Sequence, residues 1–184
     1  MEFAEFREIR TERLLLRKLR LEDAQEYYAR IGSSEAVTRY MLWSPHGSLA
    51  DSVASIEKVL RRYETGRCYR WGAALREDDR IIGVIELLRF DEQKNTCSFA
   101  YMLAEEFWGR GYGTEMLRAA LDFAFRQMQV EAVEADHMAE NAASGAVMRK
   151  AGMRYVGTEK AKYEKSGVLH DAHAYQIERC EWME

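Results

Sequence analysis

Three glycines at alternate positions, in Trp108-Gly109-Arg110-Gly111-Tyr112-Gly113-Thr114, mark the stretch of this chain best suited to bind something charged. Without Cβ atoms the backbone there can approach a ligand closely. An apolar stripe at helical spacing follows directly: Met116, Leu117, Ala120, Leu121, Ala124 and Met128. A helix beginning near Thr114 offers free N–H groups in its first turn and a partial charge of about +0.5, which suits an anion. Arg110 adds a cation for a phosphate oxygen. Two familiar phosphate patterns do not fit. The spacing is G-x-G-x-G, not the G-x-G-x-x-G of dinucleotide sites, and no Gly-Lys-Ser/Thr follows as a P-loop requires. The plain alternative is a tight turn that starts a helix and binds nothing.

The elements that must position this segment are legible from periodicity. Leu14-Leu15-Leu16 between two arginines reads as a short buried strand. Leu21-Glu22-Asp23-Ala24 opens a helix running to about Ile31 and ended by Gly32. The segment from Arg39 to Gly47, with Tyr40, Met41, Leu42 and Trp43, reads as a loop with an apolar anchor. Ser48 with Asp51 resembles a capping box, ahead of Val53, Ile56, Val59, Leu60 and Tyr63 at helical spacing. Tyr69–Leu75, Ile81–Phe90 and Thr96–Leu103 read as a three-stranded antiparallel meander with polar turns. After the glycine-rich helix come a strand at Val130–Asp136 and a helix at Ala142–Ala151, stopped by Gly152. Two closing strands are expected around Arg154–Lys162 and Ala172–Cys180, joined at Ser166-Gly167. The order implies one domain over residues 1–184, a mixed α+β sheet with helices on both faces.

Composition narrows the function. The net charge is −4, which argues against general nucleic-acid binding. Cys68, Cys97 and Cys180 are odd in number and contain no CxxC pair, so they read as reduced thiols, neither a disulfide framework nor a zinc site. The four histidines show no strong ligand spacing, and no metal is expected. The acidic N-terminus has no secretory character, and no apolar run of membrane-spanning length occurs; a cytoplasmic protein without membrane partners is expected.

With these residues in place, the chain resembles the GNAT superfamily of acetyltransferases. The family's phosphate motif, Gln/Arg-x-x-Gly-x-Gly/Ala, maps onto Trp108–Gly113, with Trp108 at the leading position. That departure is usual in the branch that acetylates ribosomal-protein N-termini, whose wording is W-G-x-G-Y-x-T-E. Further matches to that branch are Thr11-Glu12-Arg13-Leu14, Arg39-Tyr40 with Trp43, Asn141-Ala142-Ala143-Ser144, Ala151-Gly152-Met153 and Asp171 with Tyr175. The resemblance covers nearly the whole chain. It implies a mostly antiparallel sheet splayed in the middle. Ala100–Leu103 would part from Val133–Asp136 and hold the pantetheine arm of acetyl-CoA. Trp108, Gly109, Arg110, Gly111, Tyr112, Gly113 and Thr114 would cradle its phosphates, and Asn141 would meet the pantetheine. An amide near Met102 or Leu103 would face the oxyanion.

The implied reaction is direct attack of a neutral amine on the acetyl carbonyl. An α-amine with a pKa near 8 is about one-tenth neutral at pH 7, a lysine-like amine only about 0.04%. Candidate bases are Glu86, in the apolar strand Ile81–Leu88, then Asp136, His137, Glu105 and His46. The ribosomal branch often carries Glu where this chain has Ser98, and many family members carry, seven residues after the Asn, a tyrosine acid where this chain has Met148. Ser144 therefore becomes the candidate partner of the leaving sulfur, unless it only caps its helix. The acceptor is expected to be a protein N-terminal amine. A small-molecule acceptor such as an antibiotic or polyamine, or a non-catalytic coenzyme-binding module, remains open. Exposed sheet edges with Tyr40, Trp43 and Trp182 permit a homodimer without demanding one.

Overall fold

Leucine, isoleucine, valine and aromatic residues dominate the central strands, and both faces of those strands are covered. The computed structural model describes residues 3–183. Eight strands form one sheet: β1 (Ile9–Arg10), β2 (Leu14–Arg17), β3 (Tyr69–Leu75), β4 (Ile81–Asp91), β5 (Thr96–Leu103), β6 (Ala132–Met138), β7 (Arg154–Lys165) and β8 (Val168–Glu178). Their spatial order is β1-β2-β3-β4-β5-β6-β8-β7. Every neighbouring pair is antiparallel except β5 and β6. A parallel pair needs a crossover, and α4 (Tyr112–Arg126) supplies it.

Strand register divides the helices between two faces. Glu86 stands opposite Ala100 and Val84 opposite Met102, so these four share one face, while Ile85 and Tyr101 share the other. The first face belongs to α3 (Leu49–Tyr63), because Arg62 of that helix reaches Glu86. It also carries α1 (Ala24–Tyr27), set between a 3₁₀ turn at Leu21–Asp23 and a π turn at Tyr28–Gly32, and the short α2 (Glu35–Thr38). The second face belongs to α4 and α5 (Ala142–Lys150). The expected capping box is present, with Asp51 accepting from the Ser48 amide at 2.9 Å.

The chain adds three elements too short to carry a period: β1, α2 and a closing α6 (Arg179–Met183). The strand expected at Val130–Asp136 runs instead over Ala132–Met138, because Val130 is held in the turn by the Ala124 carbonyl at 3.2 Å. The closing hairpin is longer than its alternation suggested. A bulge between Glu159 and Tyr163 breaks the alternation there, and Ala161, at a positive φ of 51°, donates its amide to Asp171 at 3.0 Å.

One buried charge pins the end of β2 to its neighbours. Arg17, 1% exposed, donates to both Asp23 oxygens at 2.9 Å and to Asp79 at 2.7 Å. Burial opposes ionisation of Asp79, yet hydrogen bonds and charge from Arg17 outweigh it and hold this carboxyl below its usual range. Arg17→Met would leave the buried Asp23 without its counter-charge. A loss of about 3–5 kcal/mol is expected, the usual penalty for breaking such a pair, read by urea unfolding. Because the Asp79 shift is downward, its contribution is present above about pH 4 and lost as pH falls through the lower folded value. In Arg17→Met that acid dependence should flatten.

Candidate active site

Two positive-φ glycines start the site. Gly109 (φ 73°) and Gly111 (φ 84°) adopt the left-handed conformation, and Gly111 is the residue before the first turn of α4. Gly109, Arg110 and Gly111 are exposed. The amides from Gly111 through Thr114 precede the first helical hydrogen bond, that of Glu115 to the Gly111 carbonyl. The helix therefore begins two residues earlier than expected, with Tyr112 and buried Gly113 already inside it. Trp108 lies half-exposed across the end of β5, its indole N–H donating to the Leu103 carbonyl at 2.7 Å.

Glu115 in the first turn of α4 braces the cradle. It accepts from the Thr11 hydroxyl at 2.6 Å, the Arg13 amide at 2.8 Å and Arg13 Nε at 2.7 Å. Arg13 also donates to the Arg110 carbonyl at 2.9 Å and lies 4.0 Å over the Tyr112 ring. Burial works against a charged Glu115, but the Thr11 and Arg13 hydrogen bonds overcome it and hold its carboxyl below the ordinary range. The Thr11–Leu14 matches thus sit directly behind the glycines.

Beside the cradle the sheet opens. β5 and β6 pair only at Thr96–Ala132, Cys97–Val133 and Ser98–Glu134. Beyond them the Phe99–Leu103 edge has no strand partner on that side. The Ala104 amide bonds the Ile82 carbonyl on β4, so by alternation the Met102 amide also turns toward β4, while those of Leu103 and Tyr101 turn to the gap. Of the two oxyanion positions expected from the sequence, the register leaves only Leu103, and it adds Tyr101. Met102 contributes its side chain to the opposite face of the sheet.

At the α5 edge of the opening, Asn141 caps the helix, its side chain accepting from the Ser144 amide at 3.3 Å. Ser144 is thereby free of capping, and its hydroxyl accepts from Tyr101 at 3.3 Å. Burial pushes the Tyr101 phenol up, with Ser144 pulling back, so Tyr101 keeps its proton at neutral pH. Sequence reasoning missed this tyrosine because it sought a hydroxyl on the helix, at Met148, which is 2% exposed and part of the core. The available signal was a polar-tipped aromatic in the strand leading into the glycines.

The other candidates separate by face. Glu86 lines a cavity of about 540 Å³ with Tyr27, Trp43, His46, Arg70 and Met102. From the sequence Glu86 stands as a lone carboxylate in an apolar strand; in the fold, Arg62 meets one oxygen at 2.6 Å and Arg70 the other at 3.2 Å. His46, bonded to the Ser52 hydroxyl at 2.7 Å, is pushed by burial to a lower pKa. Asp136 shares this face but not the cavity lining, and is held by Lys162 at 2.9 Å, Arg89 at 3.6 Å and the Tyr163 hydroxyl. His137 points the other way, under α5, with Nδ1 2.7 Å from the Met138 carbonyl and its ring stacked on Tyr175. Glu105 is exposed in a 3₁₀ turn before the cradle and is absent from the cavity lining. Burial pushes the Cys97 thiol up to about 12, which makes it inert as a nucleophile. Among the described residues no cluster of three or more His, Cys, Asp or Glu side chains forms a metal ligand set, and no helix is long and apolar enough to cross a membrane.

The packing under α5 leaves little slack. A Cβ at Gly145 would stand 2.7 Å from His137 Nε2 and 2.9 Å from the Tyr175 hydroxyl. Gly145→Ala should therefore shift α5 and destabilise the protein by about 1–3 kcal/mol, as overpacking does, with a lower melting temperature as the measurement. An unchanged melting temperature would show that α5 is not seated as described.

Comparison with known proteins agrees with this geometry. Residues 13–154 match the family described as "Acetyltransferase (GNAT) domain". The uncharacterized N-acetyltransferase YoaA of Bacillus subtilis is 24% identical over 92% of this chain and 95% of its own. A GNAT-family acetyltransferase from Bacillus anthracis superposes with a TM-score of 0.85, at 22% identity, over 94% of this chain and 99% of that one. The spermidine N-acetyltransferase of Vibrio cholerae, solved with CoA and spermine, superposes with a TM-score of 0.80, at 18% identity, over 95% and 100%. The glycine cradle at the front of α4, the sheet that parts beside it and the family match over most of the chain have one meaning: this protein belongs to the GNAT acetyltransferases and is an acetyl-CoA-dependent enzyme.

Proposed function

We propose that the protein transfers the acetyl group of acetyl-CoA to a primary α-amine at a protein N-terminus. The observation that carries the reading is the hydroxyl pair Tyr101–Ser144, set where β5 leaves β6, with the Leu103 and Tyr101 amides turned into the same gap. Backbone amides of residues 109–114 and the Arg110 side chain hold the diphosphate. Asn141 keeps the start of α5 in place beside the pantetheine. The Leu103 or Tyr101 amide faces the carbonyl oxygen as charge builds on it. Ser144, backed by the protonated Tyr101, donates to the departing sulfur.

The carboxylates favour an α-amine acceptor. Glu86 is engaged by two guanidinium groups, and Asp136 by Lys162, Arg89 and Tyr163. A carboxylate whose oxygens are so occupied suits an amine that is already about one-tenth neutral at pH 7 better than one that is about 0.04% neutral. Glu86 takes the amine proton through water in the cavity, and Asp136 positions the hairpin side chains at its rim. A polyamine would also bring several cations to a cavity whose two acidic groups, Glu86 and Asp51, are already engaged.

The test measures thiol release from acetyl-CoA with three acceptors: a peptide with a free N-terminus, the same peptide N-blocked but carrying lysine, and spermidine. Turnover with the first only is expected, with kcat/KM rising toward pH 8 as the amine deprotonates. Tyr101→Phe and Ser144→Ala should each lower kcat by about 10²-fold, as loss of a general acid does, while calorimetry shows acetyl-CoA affinity within about threefold of the parent. Preferential turnover of spermidine or of the lysine peptide would replace the N-terminal reading. Coenzyme binding without turnover of any amine would leave only a binding module.

A further inference from the structure

The acceptor cavity is lined by two cations, Arg70 and Lys58, and by two carboxylates that other groups already hold. Arg62 and Arg70 both contact the one carboxylate of Glu86, and Lys58 lines the same cavity. The other acidic lining residue is Asp51, and its Oδ2 is occupied by the Ser48 amide and hydroxyl at 2.9 and 3.0 Å. His46, with its pKa lowered by burial, adds no charge at neutral pH. Arg62 lies outside the lining, so two lining cations, Arg70 and Lys58, face two lining carboxylates that are both already engaged.

One donor among these cations has nothing to bind. Arg70 Nε is buried and has no hydrogen-bond partner among the described residues. Its side chain is only 17% exposed, on a strand whose neighbours are fixed. A buried guanidinium N–H without an acceptor is costly to maintain and is well matched to a carboxylate oxygen. Its position is fixed by register. Arg70 stands opposite Glu86 on β4, which stands opposite Ala100 on β5. Two strand spacings put it about 10 Å from the open edge where acetyl transfer takes place.

Resting on the α-amine reading above, we propose that the acceptor carries a carboxylate as well as the amine, and that Arg70 and Lys58 receive it. An extended chain advances about 3.3–3.6 Å per residue. The spacing thus suits an N-terminal amine followed by an acidic side chain at the second or third residue, or the distal carboxylate of a small amino acid. Both sources share the chemistry of an amine and an anion on one short scaffold. Arg70 and Lys58 set specificity; they do not touch the reacting atoms.

Two matched pairs test this. The first is a free N-terminal peptide with Glu at positions two and three against the same peptide with Gln there. The second is a small amino dicarboxylate against its distal amide. The native enzyme should favour the acidic member of at least one pair by about tenfold in kcat/KM, expressed in KM, as a charge-assisted contact does; which pair responds tells peptide from free amino acid. The preference should shrink with added salt. In Lys58→Ala, an exposed position on α3, and in Arg70→Gln the ratio should fall to about two or less, with acetyl-CoA affinity by calorimetry as the check on folding. Equal use of both members by the native enzyme, or a ratio that survives both substitutions, would overturn the proposal and leave the α-amine reading intact. Failure to acetylate any α-amine would overturn that reading itself.

Discussion

Backbone donors and acceptors inside a sheet are normally satisfied by the next strand, so neighbouring strands that separate after three residue pairs leave polar groups that something else must meet. β5 and β6 do this after Ser98 and Glu134. The gap can exist because both strands are held from their far sides. β4 pairs β5 through to Leu103, and β8 pairs β6 along its whole length to Met138. Trp108 then takes the Leu103 carbonyl with its indole N–H, closing one end. What is left between is a short row of unclaimed amides at the foot of a helix whose own first-turn amides are unclaimed. On the proposed reading, cofactor binding and carbonyl polarisation draw on one resource, backbone N–H groups kept from pairing.

Charge in this protein is arranged by pairing before it is arranged by sign. Arg17 is buried with Asp23 and Asp79, Glu115 holds Arg13 and Thr11, and Asp136 holds Lys162 and Arg89. Apart from the local Arg17–Asp23 pair, each ties together elements far apart in sequence. Arg13 and Glu115 join the first strands to the glycine helix, and Lys162 and Asp136 join the hairpin to the splayed strand. Lys165 extends this, donating to the Thr38 and Met41 carbonyls at 2.7 and 2.6 Å and so tying the closing hairpin to the loop before α3. Against this background the spare buried N–H of Arg70 stands out: Arg80 Nε also lacks a hydrogen-bond partner among the described residues, but it lies 3.4 Å from an Asp78 oxygen.

Much of the fold was legible because its strong elements carry strong periods. Tyr69–Leu75 and Thr96–Leu103 have the bounds that alternation implied, and α3 and α4 follow their apolar stripes. The cradle was legible from three glycines and a helix start. The proposed catalytic side chains were not, and the reason is physical. Whether Glu86 is a free base depends on Arg62, 24 residues earlier, and Arg70, 16 residues earlier, and no period in a sequence reports a contact across α3 and β3. Tyr101 was hidden for the same reason: its partner Ser144 lies 43 residues away on another element. Met102 and Leu103 look equivalent in sequence, yet one hydrogen bond, from Ala104 to Ile82, sets opposite directions for their amides.

The two faces of the sheet also set how the reactants meet. The cradle and α5 belong to one face and the cavity with Glu86, His46 and Arg70 to the other, while Tyr101, whose hydroxyl meets Ser144 of α5, also borders the cavity. On the proposed reading, an acetyl donor on the cradle side and an amine acceptor in the cavity meet at the opening, where direct attack needs them close and oriented. The same division explains why His137 and Asp136, adjacent in sequence, cannot share a role. Consecutive strand residues point to opposite faces, so the histidine packs under α5 against Tyr175 while the carboxylate meets Lys162. A base on the cofactor face would be separated from the amine by the sheet itself. On the proposed reading, proton removal belongs to the cavity side and proton delivery to the α5 side, and the opening between β5 and β6 joins the two.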